Sequence, residues 1–317
     1  MTPIQQLVLS CTKRKRKDAS AGNHRLRDVP PASPTVRAAA WVEAVSNAPT
    51  WGPARDLYVG EYWQAGLDLA RASARRTQTE VYVLSAGLGL VHSAAAVPGY
   101  AATFTRAHPD SVVIGQGEGP SAERRAWWDA LADWTGPGDR SGPRRLGDLA
   151  TTPGAHLLVC AGPDYIDATG DDLRAAHKVL GDERLVIVGS GDSPEGLDDV
   201  WVQCPGQLRM RFGGSMSSTS VRLARAMLEA LSPSERMGAR QARAFIANAL
   251  KSTEALPRFD RARLSDDDVL AWIRADAQAH PATTNKSAAL RRLRDDGRAC
   301  EQSRFARLYD AARTGQR

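Results

Sequence analysis

Two stretches of the chain bring together residue types that could bind and hydrolyse a ligand. In "CAGPDYIDATGDD" (160–172) an apolar run ends in a tight turn, followed at once by Asp164 and Tyr165. In an open α/β sheet, ligands sit beyond the carboxyl ends of the strands, where an Asp can orient water and a Tyr can stack on a base. Asp164 is equally suited to cap the next helix. The second stretch is spread over "ARDLYVGEYWQAGLDLA", "VYVLSAGLGLV" and "VPGYAATFTRAHPD", which carry Tyr58, Glu61, Tyr62, Ser85, Tyr100, Thr103 and Phe104. Together they supply aromatic rings, a carboxylate and, in Ser85–Gly89, small residues that allow close backbone approach of a ligand.

Cations accompany these segments. "LVLSCTKRKRK" (7–17) runs from an apolar stretch through Cys11 and Thr12 into five consecutive cations, Lys13 to Lys17. It reads either as a strand feeding a phosphate-holding loop or as a core strand beside a solvated charge run. Arg209 and Arg211 precede "GGSMSSTSVRLAR" (213–225), where Ser215 and Ser217 open a helix. Backbone N–H groups exposed there suit a phosphate or the polar edge of a base. A capped helix without ligand is the competing reading. The segment is neither a Walker A motif nor GxGxxG, so no nucleotide cofactor is expected. Near the C-terminus, "TNKSAALRRLRDDG" places Lys286, Arg291, Arg292 and Arg294 around an apolar seam of Leu290 and Leu293, with Arg298 just beyond. A helix with short polar residues at its start and arginines outside fits a DNA groove or backbone. A solvated amphipathic helix fits the pattern too.

These candidates need elements to hold them. Five apolar runs, "QLVLSC" (6–11), "VYVLSA" (81–86), "HLLVCA" (156–161), "RLVIVGS" (184–190) and "VWVQC" (200–204), read as strands buried on both faces. Continuous runs of this kind favour a parallel sheet. Helical patterns between them complete an α/β domain, a mostly parallel sheet flanked by helices, over residues 1–231. Residues 18–53, with five prolines, form an excursion over the sheet, and 136–154 a second long loop. From residue 232 the chain reads as a small, basic helical domain, 232–317. The net charge of +6 and pI near 9.3 suit a polyanionic partner. Cys11, Cys160, Cys204 and Cys300 form no CxxC pair and read as buried free thiols, so no metal site is expected. No apolar run approaches the roughly 20 residues of a membrane span, and a cytoplasmic protein is expected.

Four motifs in order, "SCTKRK", "PARDLYVGEYW", "VLSAGLGLV" and "PGYAATF", resemble the YaaA-like family, which is allied to the uracil-DNA-glycosylase-like α/β fold. The likeness covers residues 1 to about 110 well and the rest of the sheet loosely. The chain departs from the family in its longer insertion between Lys17 and Pro53 and in Gly87-Leu88, where the family often has a Lys or Arg and an aromatic. "GPDY" (162–165) and "CPGQLRMRFGG" (204–214) stand in the places of the two uracil-DNA glycosylase motifs, which are not present as such. With its basic helical C-terminus the chain is similar to bacterial anti-phage DNA glycosylases, which excise hypermodified bases, notably glucosylated hydroxymethylcytosine. The resemblance implies an N-glycosylase fold and double-stranded phage DNA as partner, with no cofactor. It implies base flipping, and abasic sites as product. Under it, Asp164, Glu61 or Asp110 is the catalytic carboxylate. Cys11, Thr12, Lys13, Tyr58, Tyr62, Ser85, Tyr100, Thr103, Phe104 and Tyr165 line the base pocket. Lys15, Lys17, Arg209, Arg211, Ser215, Ser217, Lys286, Arg291, Arg292, Arg294 and Arg298 meet DNA. An enzyme acting on 7-deazaguanine-type bases and a non-catalytic DNA-binding stress protein remain open beside it.

Overall fold

The computed structural model describes residues 4–16, 19, 24–137, 142–232, 235–253, 261–281 and 285–314. The chain forms two compact units, Met1–Glu254 and Ala255–Arg317. None of the described helices is long and apolar enough to cross a membrane.

The first unit is built on a six-stranded sheet. Its strands are β1 (Ile4–Ser10), β2 (Gln78–Ser85), β3 (Gly89–His92), β4 (Ala155–Cys160), β5 (Leu185–Gly189) and β6 (Trp201–Gln203). They lie in the order β6-β5-β4-β1-β2-β3. All pairings are parallel except β2 with β3. The apolar runs are buried on both faces, as a parallel sheet covered by two helical layers requires. β1 is central, with Leu7 between Val81 of β2 and Leu158 of β4. The expected α/β class therefore holds. β3 escapes the sequence pattern because four residues starting at a glycine are too short to show a period.

The chain leaves β1 in one direction for β2 and later returns to its other side for β4 and β5. Right-handed crossovers then require the helices α2 (Glu61–Ala74) and α5 (Gly170–Arg184) to cover opposite faces. α2 packs on α6 (Met216–Ala230). On the other side α1 (Pro34–Ser46) packs on α3 (Pro120–Ala132), and α3 on α4 (Pro163–Ala168).

The small residues after β2 do a different job from the one expected. Trp41 Nε1 donates to Gly87 O at 2.7 Å, and Trp127 Nε1 to Ala86 O at 2.8 Å. A Cβ on Gly87 would stand 2.5 Å from the Tyr100 ring and 3.2 Å from Trp41. The close approach is made by the protein's own rings, so no ligand reaches this turn. The 18–53 excursion supplies Trp41 on α1, and α1 is tied down by the buried Arg37, which donates to Leu26 O and Ser111 O. The second long loop contains a short helix, Leu146–Ala150, and is stapled by Arg144 to the carbonyls of Leu88, Leu90, Leu131 and Trp134. Burial pulls the Arg144 guanidinium down to about 10.

The boundary between the units lies at Glu254/Ala255 rather than at residue 232. The helix α7 (Ala239–Lys251) belongs to the first unit because Ala239, Ala242, Ile246 and Ala249 are buried and it packs against β5 and β6. Arg243 adds bonds to the carbonyls of Asp198, Asp199 and Trp201. A purely local reading sees a helix and cannot see which sheet edge buries its alanine face.

The second unit has its own core of Val269, Ile273, Leu290, Leu293, Phe305, Leu308 and Tyr309. Three helices surround it: α8 (Asp266–Ala279), α9 (Lys286–Asp295) and α10 (Gln302–Thr314). Ser265 and Asp268 form a reciprocal capping box on α8, and Asn285 caps α9. Among the described residues of this unit a two-residue parallel pair, Ala262–Arg263 with Arg298–Ala299, is the one strand feature, too short to register in the sequence.

Candidate functional site

Strand order reverses between β1 and β4, and in open α/β sheets that crevice is where ligands bind. A pocket of about 560 Å³ lies there. Its walls are the segments that follow the strands: Ser10–Lys13 after β1, Ala161–Tyr165 after β4, Ser190 after β5, and Cys204 with Gly206 after β6. Tyr62 of α2, Thr103 and Thr105 complete it, with Met216, Ser217, Thr219 and Ser220 from the start of α6. Asp164 is the one carboxylate and Lys13 the one cation among the described residues lining it.

Asp164 stands in the first turn of α4, and its carboxylate is 2.8 Å from Arg124 of α3. Arg124 also binds Asp167 at 3.0 Å and Phe104 O at 3.3 Å, so its guanidinium is fixed from three sides. Arg124 is therefore the partner that orients the Asp164 carboxylate. The sequence gives no sign of it, since "AERRAWWDALA" reads as an ordinary amphipathic helix.

Two phenols flank the carboxylate. The Tyr165 hydroxyl lies 3.0 Å from Cys11 Sγ, and its ring meets Phe104 edge-on with centroids 5.1 Å apart. Tyr62 accepts from Ser10 N and Ser10 Oγ and donates to Cys160 O at 2.6 Å. Burial drives both phenols well above their ordinary range, so both stay neutral donors. Burial also pushes the Cys204 thiol up to about 11 and raises Cys160 further, which makes these two thiols inert.

Of the expected pocket residues, Cys11, Thr12, Lys13, Tyr62, Thr103, Asp164 and Tyr165 do meet in one place, and Ser217 joins them from the DNA-contact group. The others serve beneath or beside the pocket. Tyr58, Ser85 and Tyr100 form a buried chain, with Tyr58 Oη 3.1 Å from Tyr100 Oη and Tyr100 Oη 2.6 Å from Ser85 Oγ. Phe104 is fully buried behind Tyr165.

Two candidate carboxylates do not line the pocket. Glu61 accepts from Ser215 N, Ser218 Oγ and Arg222, so it holds the start of α6 against α2. Desolvation works to raise its carboxyl, but these hydrogen bonds and Arg222 outweigh it and bring it below its ordinary value. Asp110 is buried and accepts from Arg27 N, Nε and Nη2. Its burial is likewise overcome by Arg27, which holds it low. Both carboxylates are engaged by structural partners.

The cation run divides differently from the expectation. Lys13 is exposed on the pocket, and Lys17 lies outside the described residues. Lys15 does not face solvent phosphates. Its backbone bridges to Tyr58, its ammonium lies 4.2 Å over the Tyr100 ring, and Nζ donates to Thr12 O at 3.3 Å. Desolvation lowers its pKa against the opposing charges of Cys11 and Asp110. A depressed lysine charges the folded state at a cost below its folded pKa, and the cost disappears as pH rises toward the ordinary value. Lys15→Met is therefore expected to raise stability at pH 7 by more than the roughly 0.5 kcal/mol of a neutral surface change. That gain shrinks between pH 7 and pH 10, read from urea midpoints. A gain that grows with pH would refute the buried ammonium.

Among the remaining expected DNA contacts, Arg209 is exposed, whereas Arg211 ties the segment before α6 to Ala249 O and Ser252 Oγ. Ser215 caps α6. In the second unit, Lys286 pairs with Asp310 at 2.6 Å, Arg292 grips Asp276 through two bonds, and Arg294 donates to Cys300 O. Arg291 and Arg298 are exposed.

A larger cleft, about 670 Å³, is lined by His156, Asp182, Glu183, Arg184 and Arg236 among others. It lies at the amino ends of β4 and β5, the wrong end for the ligand of an open sheet. The strand-end pocket is thus the candidate site. No protein-family model, no curated protein and no solved structure matches the chain.

Proposed function

We propose that the protein is a DNA N-glycosylase of anti-phage defence. It flips a hypermodified base, such as glucosylated hydroxymethylcytosine, into the strand-end pocket and hydrolyses its N-glycosidic bond. Under this reading its first unit is a glycosylase-like fold, and it acts in the cytoplasm on phage DNA. The observation that carries the reading is the pocket itself. It is roomy, it lies at the switch point, and it is walled by one oriented carboxylate, two neutral phenols and one ammonium.

The chemistry follows from those groups. Extrusion removes the base from the stack and the pocket receives it. The C1′–N bond breaks with its electron pair leaving on the base. The Asp164 carboxylate stabilises the sugar cation and takes a proton from the water that attacks C1′. Lys13 and the Tyr165 hydroxyl supply donors to the departing base, as an oxyanion hole does. The products are free base and an abasic site.

The test is incubation with DNA carrying glucosylated hydroxymethylcytosine and with plain-cytosine DNA, followed by alkali. Strand breaks confined to the modified DNA support the proposal. Intact strands whose nucleosides are altered would instead identify a base-modifying enzyme, and bound but unaltered DNA a binding protein.

A further inference from the structure

We infer that the strand-end pocket carries a second activity, in which the Lys13 amine forms an imine with the abasic sugar left by base release and the strand is then cut by β-elimination. The inference goes beyond the proposed function and takes its substrate from that reading.

Lys13 lies just beyond β1, in the segment that walls the pocket. The backbone on either side of it is fixed. Cys11 N donates to Leu84 O at 2.8 Å, and Val59 N donates to Arg14 O at 3.1 Å. Thr12 Oγ1 bonds Arg14 O at 2.8 Å and Val59 O at 3.1 Å. The Lys13 side chain itself is exposed, and among the described residues no hydrogen bond or ion pair holds its amine. The cations around it are engaged. Lys15 Nζ is taken up by Thr12 O and the Tyr100 ring, and Arg124 by Asp164, Asp167 and Phe104 O. An anchored loop therefore presents a free primary amine to the cavity that also holds the Asp164 carboxylate. A primary amine adds to an aldehyde carbon, and a guanidinium does not. Holding amine and carboxylate on one bound sugar supplies the proximity that two successive steps at C1′ and C2′ require.

The steps balance without an oxidant or a reductant. As the base leaves with the C1′–N electron pair, the Lys13 ammonium gives it a proton and is left as the free amine. Ring opening of the abasic sugar exposes its C1′ aldehyde. The amine lone pair forms the N–C1′ bond. One nitrogen proton and one solvent proton depart with the carbonyl oxygen as water, and a protonated imine remains. The Asp164 side chain is 36% exposed, so it can return the proton of the attacking water to solvent. It then removes a proton from C2′ as general base. The C2′–H electron pair first neutralises the imine as an enamine. It then returns as the C2′=C3′ bond while the 3′-phosphate leaves with the C3′–O pair. Water hydrolyses the imine and regenerates Lys13.

The test incubates the full chain with a duplex carrying one preformed abasic site, with and without sodium borohydride and without alkali. Borohydride reduces an imine to a stable amine, so a covalent protein–DNA adduct is expected, and peptide mapping should place it on Lys13. The chain holds six lysines, which makes the assignment direct. Without borohydride the strand should break 3′ to the abasic site. Lys13→Arg keeps a cation in the pocket but cannot form an imine, so it should abolish both adduct and break, with folding checked by circular dichroism. Mapping uses the wild-type chain and does not depend on how the variant folds. No adduct, an adduct on another lysine or on the N-terminal amine, or an adduct that survives Lys13→Arg would overturn the inference. Base release from duplex carrying glucosylated hydroxymethylcytosine is measured in parallel. Base release without an adduct removes this inference and leaves the glycosylase reading standing. An adduct on Lys13 without base release does the reverse.

Discussion

Asp164→Asn is expected to lower base release by about 10²–10⁴-fold, the usual range for a positioned acid–base group. Duplex binding and thermal stability should change little. The substitution keeps the size of the side chain and removes the charge that a sugar cation needs. Arg124 keeps its second carboxylate, Asp167, and its bond to Phe104 O, so the wall does not collapse. The contrast with the other two carboxylates sharpens the test. Glu61→Gln loosens the start of α6, and Asp110→Asn disturbs the ion pair between the buried Asp110 and Arg27, so both should lower stability. Neither lines the pocket. Single-turnover kinetics on modified DNA, with strand breakage as the readout, decides between them. Full turnover in Asp164→Asn, or a larger loss in Glu61→Gln than in Asp164→Asn, would remove Asp164 from the mechanism.

Trp127→Ala is expected to cost about 3–5 kcal/mol, as large-to-small changes at fully buried aromatics do. The side chain is completely buried, and its indole N–H satisfies Ala86 O. Truncation leaves both a cavity and a carbonyl without its donor. The damage is transmitted to the site. Ala86 follows Ser85, whose hydroxyl meets Tyr100, and Tyr100 lies under Lys15. A fall in the urea midpoint of the full chain by that amount, with lost base release even where the variant is folded, is the expected result. A change below about 1 kcal/mol would mean that the turn closes without its tryptophan, in conflict with the packing-density argument.

Several features were legible from local pattern alone. Strands that bury both faces must be written as continuous apolar runs, and five such runs in order already imply a parallel α/β sheet. Their carboxyl ends are marked by the residues that follow, which puts Cys11–Lys13 and Asp164–Tyr165 at the same edge of the sheet.

The partners of those residues were not legible, because they come from far along the chain. Arg124 and Asp164 are separated by forty residues, and Trp41 and Gly87 by forty-six. Gly87 and Gly89 look like room for a ligand, yet that space is filled by Tyr100 and Trp41 at Gly87 and by Arg144 at Gly89. A run of five cations looks uniform in one dimension, yet in the fold Lys13 opens on the pocket and Lys15 turns onto an aromatic ring. Side-chain type and spacing determine which elements form and which ends can carry chemistry. Which charges are spent on structure and which face the cavity is decided by burial and by partners the tertiary fold brings together. A charge loses its availability only when a specific neighbour cancels or desolvates it.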